Sequence, residues 1–135
     1  MFNSKIISLI ILFSCAQTAY TTQWIEIPAK ENACNIHVFY DQASAQKNIL
    51  LEKYDFSEMK ECEEIYKGQA YLTYKSKMNC IAHEFSPIEQ TFYAKDGSHK
   101  NYPERFNSSV QPIPNSTPDR LLSEACRTKK GNTSP

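Results

Sequence analysis

Five cysteines and three histidines carry the most reactive chemistry in this 135-residue chain, and their spacing limits what they can do. No two of the cysteines, at positions 15, 34, 62, 80 and 126, lie within three residues of one another. There is therefore no C-x2-C knuckle, and the long intervals disfavour a zinc site. In the run "KMNCIAHEF", residues 77–85, Cys80 has no glycine beside it to form a nucleophile turn. His37, His83 and His99 belong to no HExxH motif and form no helical ligand pair. His37 and His83 fall among apolar neighbours in runs that read as strand, where a histidine is structural or faces solvent; His83 is kept as a candidate haem ligand. Its neighbour Glu84 would face the other way on a strand, so the two form no local acid–base pair. Only three glycines are present, too few for a phosphate-cradling loop. With no nucleophile, metal or nucleotide motif, the chain reads as non-enzymatic, with no metal site.

The compartment follows from the first residues. "MFNSKIISLIILFSCAQTAY" carries one positive charge at Lys5, an apolar run from Ile6 to Phe13 and then small residues. Residues 1–16 therefore read as a secretory signal peptide, since the apolar run is well short of the ~20 residues that span a bilayer. Cleavage after Ala16 would discard Cys15. A lipoprotein signal with Cys15 as the acylated first residue is the alternative, with Phe13 too large for the usual box. Removing Lys5 takes Lys plus Arg from 15 to 14 against 15 acidic residues, a net charge of about −1. Such a balance gives no field for binding nucleic acid. The remaining four cysteines, Cys34, Cys62, Cys80 and Cys126, are an even number in an exported chain of small size, which predicts disulfides with three possible connectivities.

The elements that would position these residues are mostly strands. Trp24 to Ile27 alternates in polarity, as does "NIHVFYD", with Ile36, Val38 and Tyr40 on one side and His37 and Phe39 on the other. "NILLEKYDF" is a third strand, with residues 41–48 as the connection. "SEMKECEEIYKG" reads as a short helix or ordered loop ending at Gly68. In "AYLTYKSKMNC" the residues Ala70, Leu72, Tyr74, Met78 and Cys80 share a face interrupted by Ser76, while Thr73, Lys75, Lys77 and Asn79 share the wet face with Tyr71. Strand character continues to Phe85, is expected to break or run along an edge at Ser86-Pro87, and resumes in "IEQTFYA". "KDGS" predicts a hairpin turn, followed by a strand over about His99 to Tyr102. Residues 107–118 read as a loop. In "STPDRLLSEAC", Thr117 can cap a helix with Pro118 in its first position, and Leu121, Leu122, Ala125 and Cys126 share a face. The fold class is α+β: a small antiparallel sheet of five to six strands packed by a C-terminal helix. It forms one domain over residues 17–127 with a flexible tail from 128 to 135.

This arrangement points Cys80 into the core from a central strand and Cys126 inward from the closing helix, so the two can meet across the sheet–helix interface. Such a bridge would contribute on the order of 4 kcal/mol by the chain-entropy model. The remaining pair, Cys34 with Cys62, would tie the excursion after the third strand to the start of the second. The sequons at Asn107, Asn115 and Asn132 lie in predicted loops and matter only in a eukaryote.

Early Trp24, the Phe39-Tyr40-Asp41 strand end, the central "MNC", the "TFYAKDG" hairpin, the Pro/Ser loop and a helix ending in cysteine resemble the bacterial surface-adhesin protein E family over about residues 23–127. Cys80 and Cys126 match the two cysteines of that family's pattern. Cys34 and Cys62 lie outside it, and Tyr54 stands where a middle-strand tryptophan is usual. The resemblance implies an exported Gram-negative envelope protein, sometimes lipid-anchored and dimeric, attaching to host matrix proteins such as vitronectin and laminin and able to take up haem. Periplasmic assembly factors and small-ligand carriers are the alternatives for such a fold. No ligand motif transfers residue by residue.

Overall fold

A computed structural model describes residues 21–28, 34–60, 64–105 and 107–131. The expected signal segment with Cys15, the cysteine at 62 and the last four residues lie outside them, and with Cys62 so does the expected Cys34–Cys62 pairing. The strands are β1 (Trp24–Ile27), β2 (His37–Asp41), β3 (Ile49–Asp55), β4 (Gln69–Asn79), β5 (Glu84–Ala94) and β6 (His99–Pro103). They form one antiparallel sheet in the order of the chain. Pairing each strand with the next in sequence makes this the simplest topology such a chain can take. Among the described residues two helices, α1 (Gln42–Ala45) and α2 (Thr117–Gly131), and a 3-10 turn (Glu64–Tyr66) accompany it.

The core lies between one sheet face and the helices. Ile27, Val38, Tyr40, Leu50 and Met78 from the sheet meet Ala45 of α1 and Leu121, Leu122, Ala125 and Cys126 of α2. The helical face read from the sequence is thus the buried one. Burying one such leucine stabilises the fold by about 1.5–3 kcal/mol. Cys80 follows β4 directly and is bonded to Cys126, with Cα atoms 5.6 Å apart. That cross-link suits an oxidising compartment. Among the described residues no helix is long and apolar enough to cross a membrane.

Several local expectations are corrected. The 41–48 connection contains α1, because Asp41 ends β2 and caps the helix: its Oδ2 accepts from the Ser44 N–H at 3.1 Å and the Ser44 hydroxyl at 2.5 Å. Its Oδ1 accepts from the Gln23 N–H at 2.6 Å, which accounts for a fully buried carboxylate. The cap of α2 is Ser116 rather than Thr117, since its Oγ accepts from the Asp119 N–H. The tail expected from Thr128 is helical to Gly131, and the Thr128 hydroxyl is 2.8 Å from that of Tyr40.

At Pro87 the strand neither breaks nor ends. The register passes from Lys75↔Glu89 to Ser76↔Pro87, so Ile88 is the extra residue of a bulge. Phe85 turns its N–H and carbonyl to Val110, away from β4, and Pro87 two residues on shares that side, where β6 has ended at Pro103. Proline's missing donor therefore costs no ladder bond. His83 is not a strand residue: it occupies the β4–β5 turn with φ +53°. The expected "KDGS" turn is present, with Gly97 at φ +88° and Asp96 accepting from Ser98.

Candidate binding site on the open sheet face

Strand alternation that sends Val38, Tyr40, Leu50 and Leu72 to the core sends their neighbours to the other face. There α2 is absent, and the side chains border a shallow cavity of about 500 Å³ lined by Trp24, Lys53, Tyr71, Thr73, Thr91 and Tyr93, among others. Register aligns Phe39, Lys53, Thr73, Thr91 and Asn101 in one row across β2 to β6. His37, Asp55, Tyr71, Tyr93 and His99 form the adjacent row.

Lys53 is the hub of this face. Its ammonium lies 4.7 Å from the Tyr71 ring centroid and 5.7 Å from those of Trp24 and Phe39. Asp55 Oδ2 is 4.0 Å away. A cation held over three ring faces fixes the rings as much as they hold it. Tyr71 and Tyr93 stack at 4.3 Å with their planes 16° apart, and Tyr93 continues onto His99 at 5.9 Å. Burial, and then the neighbouring Tyr93, hold the Tyr71 hydroxyl above its ordinary pKa. Asn101 Nδ2 donates to Thr91 Oγ1 at 2.8 Å and Glu89 Oε2 at 3.1 Å, fixing a polar margin.

Two ionisable clusters flank the face. The His37 ring reaches Glu26 Oε1 at 2.5 Å and Glu58 Oε2 at 2.9 Å. Those hydrogen bonds, Glu26 first, raise the His37 pKa above its ordinary value. On the core side Glu52 is 5% exposed, and burial pushes its carboxyl up to about 7, partly offset by a hydrogen bond from the Tyr54 hydroxyl. Burial is also what raises the pKa of Tyr54.

The residues singled out from the sequence are not brought together. His83 Nε2 lies 2.6 Å from Asp119 Oδ1 of α2. His37 and His99 sit on the open face, at opposite sides of the sheet. Cys80 and Cys126 are structural. Among the described residues no group of three or more His, Cys, Asp or Glu side chains is placed to hold a metal ion. Reading β4 alone gave Lys75 and Lys77 only Tyr71 for company on the wet face, and so missed Trp24, Phe39, Lys53 and Tyr93. Projecting the non-core parity of every strand onto one surface would have found them.

The fold and this face define a small antiparallel α+β domain with one sheet face covered by helix and the other set with aromatic rings. No family model, curated protein or solved structure matches the chain.

Proposed function

We propose that the chain is an exported, non-enzymatic binding module of the cell envelope, of the surface-adhesin protein E kind, and that it engages its partner through the open sheet face. The observation behind this reading is the array of rings around Lys53. Tyrosine and tryptophan supply large contact area with few torsions to freeze, and a cross-strand stack is already ordered before a partner arrives. The cavity is shallow and its margin mixes Thr, Asn, Glu and Lys. That character suits a macromolecular surface better than a small apolar ligand. Matrix proteins such as vitronectin and laminin are the partners to try first, as the resemblance implies.

The test is binding of the purified chain to immobilised vitronectin and laminin, alongside the Trp24→Ala/Tyr71→Ala variant. Anchors of this kind contribute more than about 1 kcal/mol each, so the double variant should lose at least roughly tenfold in affinity. An unchanged affinity in a folded variant would remove the face from the reading. If the parent chain binds neither protein, and protease added to intact cells spares it, a periplasmic assembly role replaces the adhesin.

A further inference from the structure

The β4–β5 turn displays an isoleucine entirely to solvent, and it does so on an unusually well anchored loop. Ile81 is fully exposed. The residue before it, Cys80, is bonded to Cys126 of α2. Two residues after it, His83 adopts φ +53° and holds Asp119 of the same helix at 2.6 Å. Asn79 Oδ1 closes the turn by accepting from the Ala82 N–H at 3.2 Å. A single exposed apolar residue is ordinary. Here, however, the turn cannot readily fold Ile81 back onto the protein, because both its flanks are tied to α2.

Beside Ile81 opens a cleft of about 530 Å³, lined among others by Lys77, Asn79, Ile88, Ser109 and Lys129. Ile88, the bulge residue, is itself exposed. Lys129 reaches the side-chain oxygen of Asn48. Among the described residues both charged members of the lining are cations, and Glu84, opposite Asn79 in the register, does not line the cleft. The far wall is fixed where Phe85 pairs with Val110 and the Ser86 hydroxyl meets that of Ser109 at 3.1 Å. Two cations with no carboxylate among the described lining residues, next to amide and hydroxyl donors and rimmed by isoleucine, match a ligand that is anionic at one end and apolar at the other.

We propose that this end of the molecule docks on an anionic lipid surface, with a phosphate head group at Lys77 and Lys129 and with Ile81 inserted at the acyl boundary. Insertion of one isoleucine favours the bound state by roughly tenfold or more. Each lysine near an anionic leaflet adds about fivefold. The product describes weak, reversible docking that orients the domain rather than anchoring it. The site lies at one end of the β4–β5 hairpin and does not depend on the open-face reading.

The test is co-sedimentation of the chain carrying Cys15→Ser, so that no acyl group contributes, with phosphatidylcholine vesicles containing or lacking phosphatidylglycerol. The parent should bind the anionic vesicles, and less at high salt. Ile81→Ser should weaken binding about tenfold, and Lys77→Ala about fivefold. Ile113→Ser, which removes an exposed isoleucine that does not line the cleft, should leave binding unchanged. These are surface positions, and near-ultraviolet circular dichroism checks that each variant is folded. Failure of the parent to bind anionic vesicles overturns the proposal and leaves Ile81 to a protein partner. Equal loss from Ile113→Ser and Ile81→Ser overturns the assigned site. Saturation by free glycerol phosphate without vesicle binding makes the cleft an anion site and overturns the lipid assignment.

Discussion

Cys80 and Cys126 join the end of a central strand to the packing face of the last helix, closing a segment with a sequence separation of 46. Because the loop is long, the cross-link removes much freedom from the unfolded chain. The Cys80→Ala/Cys126→Ala variant should lose about 4 kcal/mol of stability. Urea unfolding of the parent, with and without reductant, should reproduce that loss. A midpoint insensitive to reductant would show that the bridge stabilises nothing.

Leu122 has no exposed surface and packs in the cluster between α2 and the sheet. Leu122→Ala should cost about 2–5 kcal/mol, transfer and cavity together. Ser123 is the exposed neighbour on the same helix, and Ser123→Ala should stay within about 0.5 kcal/mol. Equal effects at the two positions would mean that α2 does not dock by the face described.

Glu52 should make the fold more stable in acid than in weak alkali. Its folded pKa of about 7 lies above the ordinary 4.5, so its contribution is fully present below 4.5 and is lost as pH rises through 7. The loss amounts to about 3 kcal/mol at pH 8. Glu52→Gln keeps an acceptor for Tyr54 and should flatten this dependence, gaining stability at pH 8. Chemical denaturation of both proteins at pH 5 and pH 8 measures the difference.

His37 should act in the same direction. Its folded pKa is raised by Glu26 and Glu58, so the stabilising contact is complete below 6.5 and disappears as pH rises through the higher folded value. Asp119 has the opposite sign. The hydrogen bond from His83 comes first and the Asn115 N–H second in holding its carboxyl below 3.8, so this contribution is lost only as pH falls through that lower value. Proton NMR titration of His37 in the parent and in Glu26→Gln should show the midpoint falling toward 6.5 in the variant. An unmoved midpoint would deny the contact.

The sequence made the sheet legible wherever one face is uniformly apolar. β4 could be read because Leu72 and Met78 alternate with Thr73, Lys75 and Lys77, and α2 because Leu121, Leu122, Ala125 and Cys126 recur at helical spacing. The inward direction of Cys80 and Cys126 then followed, and so did their bond. What alternation within one strand cannot reveal is a relation between strands. Lys53 meets Trp24, Phe39 and Tyr71 only once three registers are set, and Glu52 is buried by its place in a row, not by its type. Local propensity also misplaced His83, because a left-handed residue between two long strands leaves no signature when it is not glycine or asparagine. Pro87 was read as a break or an edge, and it is the second, locally: β6 ends before it, and the bulge at Ile88 that keeps the strand going becomes visible only in the paired sheet.

The sheet runs in chain order from β1 to β6, and α2 alone must return across it. A chain that emerges N-terminus first, from a ribosome or through a membrane pore, can therefore zip up one hairpin after another while its remainder is still hidden. The apolar underside of β2 to β4 has only α1 against it throughout that time, because α2 follows all six described strands in the chain. Cys80 meets Cys126 only when α2 arrives, at a sequence separation of 46. Oxidation between these two sulfurs therefore follows the docking of α2, and the bond locks the helix onto the sheet it has just covered.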